Sequence, residues 1–108
     1  MQQPDNERAI QLINRAIYLD NSMPDFYLQK ANLFDRLGLV IEALPSYENL
    51  SKLTPNNVYV LMKLGAIYDA LETPEQSAAI YESVVRLEPE NYSAFYLGGV
   101  AFLKLGDF

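Results

Sequence analysis

The chain has 108 residues, half of them apolar, with a formal net charge of −6 and neither cysteine nor histidine. That length supports one continuous core and is short for two domains. The missing cysteines exclude a disulfide framework or thiolate metal site, the missing histidines remove the commonest catalytic base and metal ligand, and the acidic balance opposes binding to phosphate backbones.

Taken in order, residues 1–6 are polar and expected to fray, with Asp5 or Asn6 able to cap the helix after them. No apolar run approaches a membrane span, and the opening MQQPDNER is not a signal peptide. A helix is predicted over Glu7–Leu19, carrying Ala9, Ile13 and Ala16 on one face. Pro24 opens a second helix with Tyr27, Ala31 and Phe34 as its buried row, and Gly38 ends it in a left-handed cap. A third is expected to start near Val40 or Ile41. Pro45 then falls in its first turn, where the missing N–H has little to bond; an earlier start would impose a kink.

In the next helix Leu61, Leu64, Gly65, Tyr68 and Leu71 share one face. Thr73, Pro74 and Gln76 then form a helix-start signal, with Thr73 as cap, Pro74 at the first position and Gln76 as capping-box partner. The helix they begin buries Ser77, Ile80, Tyr81 and Val84 and stops at Pro89. Asn91 caps the last helix, Tyr92–Leu105, which contains Phe95, Gly99 and Phe102 and runs into a turn of Gly106, Asp107 and Phe108.

These elements repeat. Pro89 matches Pro55, Leu87 matches Leu53, Tyr81 matches Tyr47, Tyr68 matches Phe34 and Leu61 matches Tyr27, each pair 34 residues apart; the same step leads from Leu61 to Phe95 and from Gly65 to Gly99. A fixed period of this size means stacked supersecondary units, here a pair of helices, A then B. The spacing of Leu64, Gly65, Tyr68, Tyr81 and Pro89 within the unit resembles the tetratricopeptide repeat. Over the whole chain, 1–108, it divides a single array into a B helix of a partial repeat (7–19), complete repeats at 24–57 and 58–91, and an A helix of a partial repeat (92–108).

The resemblance implies an all-α, right-handed superhelix of antiparallel helix pairs whose A helices line a concave groove for a peptide or a partner's helix. Ser77 and Val84 replace the alanines usual at their positions, and Lys30 replaces a leucine, which suggests a snorkelling side chain at a less buried edge. Ala31, Gly65 and Gly99, with Ala9, Ala43 and Ser77, become packing devices that let paired helices approach. The groove residues implied are Asn32 and Arg36 from the first complete repeat, Tyr59, Met62, Lys63 and Ala66 from the second, and Tyr96 and Val100 from the last helix. Asp25, Leu28, Gln29, Asp35, Asp69, Ala70, Ser93, Leu97, Leu103 and Lys104 hold the remaining groove positions. Tetratricopeptide domains that clamp chaperone C-termini use Lys and Asn, then Asn, then Lys and Arg at set positions. This sequence offers Leu28, Asn32, Lys63, Ser93 and Leu97 there. Only Asn32 matches, so a more apolar peptide or helix is expected.

Carboxylates such as Glu72 and Glu75, Glu88 and Glu90, or Asp20 and Asp25 sit at helix starts and turns, where they complement helix dipoles. No acid–base pair, nucleophile–base pair or glycine-rich phosphate loop is present, so no enzyme, cofactor or metal site is expected. The leading expectation is a non-catalytic scaffold for a protein or peptide partner, without nucleic acid or membrane insertion, soluble and by default cytoplasmic. Two alternatives stand beside it. One is self-assembly through the unpaired terminal helices, since Phe95, Phe102, Leu105 and Phe108 lack a covering helix; the other is a regulatory segment of a larger protein.

Overall fold

The computed structural model of the chain describes residues 4–106, and among them every regular element is an α-helix: α1 (Pro4–Leu19), α2 (Pro24–Arg36), α3 (Leu44–Leu53), α4 (Val58–Ala70), α5 (Pro74–Leu87) and α6 (Tyr92–Leu105). Residues 1–3, expected to fray, and Asp107 and Phe108, expected in a terminal turn, lie outside the described residues. The A helices α2, α4 and α6 begin at positions 24, 58 and 92, and the B helices α1, α3 and α5 end at 19, 53 and 87. The 34-residue period is thus kept at both ends of the helix pair.

Contacts divide the chain into two compact units, Met1–Pro55 and Asn56–Phe108. In the first, α1 packs on α2 and α2 on α3. Tyr27, Ala31 and Leu33 of α2 are buried with Ala43, Ser46, Tyr47 and Leu50, whereas α1 buries no residue fully. In the second, α5 packs on both α4 and α6. Its core is Val60, Leu61, Leu64 and Ile67 of α4, Ser77, Ala78, Tyr81 and Val84 of α5, and Ala94 and Ala101 of α6.

Local chemistry explains the helix ends. The Asn57 and Asn91 side chains accept from the backbone N–H groups of Val60 (3.3 Å) and Ala94 (3.0 Å), satisfying donors that the first helical turn leaves without partners. Met23 occupies the same register before α2 and makes no side-chain cap. At the other end of the A helices, the N–H groups of Gly38 and Leu39 donate to the carbonyls of Asp35 and Phe34. Those of Glu72 and Thr73 donate to Asp69 and Tyr68. This wrap needs a left-handed residue, and Gly38 (φ 75°) supplies it without strain, while Glu72 (φ 58°) supplies it against the preference of its Cβ.

Four expectations about helix starts are corrected. Helix α1 begins at Pro4, so Asp5 and Asn6 are helical residues and not caps; Pro4 takes the position where a missing N–H does no harm. Helix α3 begins at Leu44, later than Val40 or Ile41. Pro45 cannot donate to the Ile41 carbonyl and its ring would strike it, so residues 40–43 form turns with bonds such as Leu44 N–H to Ile41 (3.1 Å). Thr73 precedes α5, but its hydroxyl donates back to the Tyr68 carbonyl (3.1 Å) and makes no cap. Gln76 only donates its backbone N–H to the Thr73 carbonyl. Between α1 and α2, Asp20 Oδ1 accepts from the Ser22 hydroxyl (2.6 Å) and backbone N–H (3.0 Å), which together hold its carboxyl below the ordinary value of 3.8.

Candidate functional site

Helix α4 is apolar almost throughout, VYVLMKLGAIYDA, so burying one stripe leaves apolar surface on the other side. Tyr59 is 52% exposed, with Lys63 Nζ 5.6 Å from its ring centroid in a cation–π arrangement. Met62 is half-buried against Leu61, Val84 and Ala94, while Ala66 is exposed. Helix α6 repeats the situation. Ala94, Gly98 and Ala101 are its buried residues, Tyr96 and Leu103 stand 70% and 74% exposed, and Val100 and Leu97 are half-buried.

Six of the eight expected groove residues, Tyr59, Met62, Lys63, Ala66, Tyr96 and Val100, therefore lie in the second unit on two helices held by the same partner, α5. Asn32 and Arg36, both half-buried or more open, lie on α2 in the first unit. Two further groove positions are already engaged. The Tyr81 hydroxyl donates to Asp69 Oδ2 (2.9 Å), and one period earlier the Tyr47 hydroxyl donates to Asp35 Oδ2. These carboxylates lock each A helix to its own B helix. Burial, then the hydrogen bond and negative charge of Asp69, push the Tyr81 phenol well above its ordinary pKa.

Phe95 and Phe102, expected to lack a covering helix, are about half exposed, and the buried row of α6 lies one residue earlier at Ala94, Gly98 and Ala101. On α4 the matching Leu61 and Gly65 are buried, and an added Cβ at Gly65 would stand 2.6 Å from the Tyr81 ring. At Gly99 a Cβ would meet nothing within 4 Å. The result is a largely apolar cleft of about 300 Å³, with Val85 and Glu82 on the α5 side and Phe95, Gly98, Gly99 and Phe102 on the α6 side. Sequence reasoning counted Phe95 and Phe102 as surface awaiting a cover but did not see the cleft; the Gly98–Gly99 pair between two phenylalanines was its signal.

Among the described residues no group of three or more His, Cys, Asp or Glu side chains could hold a metal, and no buried side-chain nitrogen or oxygen lacks a partner. No helix among them is long and apolar enough to cross a membrane. The arrangement offers shape and apolar contact, with few fixed polar groups.

Comparison with known proteins agrees with this architecture. A family model described as tetratricopeptide repeat matches residues 58–91, which span α4 and α5. No curated protein matches the sequence. Among solved structures, the first TPR of Spaghetti (RPAP3) bound to the HSP90 peptide SRMEEVD is 22% identical with a TM-score of 0.72, over 95% of this chain and 82% of that one. MamA is 19% identical with a TM-score of 0.74, over 94% of this chain and 55% of its own. YrrB, described as a TPR protein with an unusual peptide-binding site, is 23% identical with a TM-score of 0.66, over 87% of this chain and 48% of its own. The chain thus spans about half the length of the latter two. At these identities the likeness is one of fold, an all-α helical repeat, and the family match covers residues 58–91, the stretch of α4 and α5, as a tetratricopeptide repeat.

Proposed function

We infer that the chain is a non-catalytic protein-interaction scaffold that holds a peptide or helix of another protein against the exposed side of α4 and α6. One observation carries the reading: Tyr59 and Tyr96, large rings on α4 and α6 outside the buried rows, are more than half exposed. Such rings supply contact area at low entropic cost and are enriched where proteins bind. Met62 and Val100 extend the apolar surface, Lys63 gives it one cation, and Ala66 leaves room for a backbone to approach. Solved relatives in fold include one bound to an acidic HSP90 peptide and one described by its peptide-binding site, which supports peptide recognition as the class of function.

The partner chemistry differs from that of an acidic-tail clamp. Leu28, Ser93 and Leu97 stand at positions where such clamps carry polar or basic side chains, and the whole chain is acidic. The groove therefore suits an apolar or amphipathic segment, with Lys63 at its margin. The test is capture from a lysate by the wild-type chain and by a Tyr59→Asp, Tyr96→Asp double variant, with helicity checked by circular dichroism. Loss of a captured protein in a still-helical variant supports the groove; unchanged capture overturns it.

A further inference from the structure

Helix α4 lies between α3 and α5 in the chain, and Tyr59 and Ala66 on it remain exposed. Tyr59, Met62, Lys63 and Ala66 fall at i, i+3, i+4 and i+7, so they share one face about 10 Å long. Met62 packs against the cluster of Leu61, Val84 and Ala94, so the face borders α6, where exposed Tyr96 and half-buried Val100 continue it.

What this face lacks decides the form of its occupant. Neither α4 nor α6 contains an asparagine, glutamine or arginine, and the flanking Asn57 and Asn91 are occupied as caps. Asp69 already accepts from the Tyr81 hydroxyl. A peptide in extended form lays its own N–H and C=O groups on the surface that holds it, and burying them without partners is unfavourable. The amide side chains that pair with both groups are absent from the two helices. A helical segment bonds its backbone internally and offers side chains alone, so an apolar face receives it without leaving those groups unpaired.

Charge selects among helices. The chain carries a net −6, yet the charged residues of α4 and α6 are Lys63, Lys104 and the engaged Asp69. Other acids of the unit stand elsewhere: Glu72 and Glu75 around the start of α5, Glu82 on α5 beside Arg86, and Glu88 and Glu90 before α6. Lys63 holds its ammonium over the Tyr59 ring at the margin of the apolar face. The two lysines favour carboxylates on a partner and disfavour its lysines and arginines.

We propose, on the basis of the scaffold function, that the segment held on α4 and α6 is an amphipathic helix of another protein. Its apolar stripe, at i, i+3 or i+4 and i+7, lies against Tyr59, Met62 and Tyr96, and its flanks carry aspartate or glutamate toward Lys63. Ala66 is where its backbone comes closest.

The test uses the full chain and a displayed library of random peptides about three helical turns long. Pools are enriched on wild type, then compared on Tyr59→Asp and Lys63→Glu, whose helicity is checked by circular dichroism; both positions lie outside the buried rows. The expected peptides gain helical signal on binding and place apolar residues at the stated spacing with acids beside them. They lose binding to Tyr59→Asp and bind Lys63→Glu several-fold more weakly, the more so at low salt. Peptides that depend on Tyr59 but bind without gaining helix, or carry basic flanks, overturn the helix assignment and leave the scaffold function standing. A pool that binds Tyr59→Asp as well as wild type, or no enriched pool at all, overturns both.

Discussion

The hydroxyl of Tyr81 donates to Asp69 across the A–B helix pair, and the ring that carries it lies against Gly65, so one side chain sets both the spacing and the register of α4 and α5. Tyr81→Phe keeps the ring and removes the hydrogen bond, and is expected to cost about 1–2 kcal/mol, the lower part of the range for bonds to charged acceptors. Urea unfolding measures it. The same variant reads the pH dependence. Because the folded state holds the phenol proton above the ordinary pKa of 10.0, its contribution is complete below that pH and is lost as pH rises through the higher folded value. Wild type should therefore lose more stability than Tyr81→Phe as pH is raised from about 9 to about 11, across the range where an unfolded phenol ionises.

The register-matched glycines of α4 and α6 give an internal control for close packing. Gly65→Ala drives a Cβ to 2.6 Å from a buried ring and should destabilise by about 1–3 kcal/mol. Gly99→Ala has open space and should stabilise by about 0.5–1 kcal/mol through helix propensity. Thermal melts of the two variants are expected to move in opposite directions.

Glu72 and Gly38 occupy equivalent left-handed caps, one strained and one not. Glu72→Gly should raise stability by up to about 1 kcal/mol, since the relief of a left-handed Cβ outweighs the added freedom of the unfolded chain. Gly38→Ala should lower it by about 1–2 kcal/mol although no neighbour obstructs the new methyl. Denaturant midpoints at constant slope distinguish these from changes in the unfolded state.

Met23 stands where Asn57 and Asn91 cap the other two A helices. Asn57→Ala and Asn91→Ala are each expected to cost about 1 kcal/mol, and Met23→Asn to gain a similar amount. Amide exchange in the first turn of each helix checks this residue by residue.

The helix pairs were legible in the sequence because periodicity survives substitution: Leu61, Leu64 and Gly65 announce a buried stripe whatever their neighbours do, and Asn91 names a cap that the structure shows. Less was legible where a choice depends on a second element. Thr73 could bond forward or backward, and the left-handed wrap at Glu72 brings the Tyr68 carbonyl within reach of its hydroxyl. Pro45 announced a problem but not its solution, because turns and a helical start differ by little in local energy. Asp35 and Asp69 read as groove residues until their B-helix tyrosines are placed beside them. The exposure of Phe95 and Phe102 was legible, but the buried row Ala94, Gly98 and Ala101 was not, because sequence matching gives position within a repeat and says nothing of which neighbours are there to cover it.

The turns at residues 40–43 occupy the places that helical residues hold one period later, yet α3 and α5 still finish in step at Leu53 and Leu87. Phase along the chain is therefore kept by residue number, while conformation absorbs the local conflict. A one-residue deletion in this segment would do what Pro45 does not: it would rotate the helix beyond it by about 100° relative to the preceding one, from 3.6 residues per turn, and carry Tyr47 away from Asp35. The repeat is a ruler whose graduations tolerate a change of material but not a change of count.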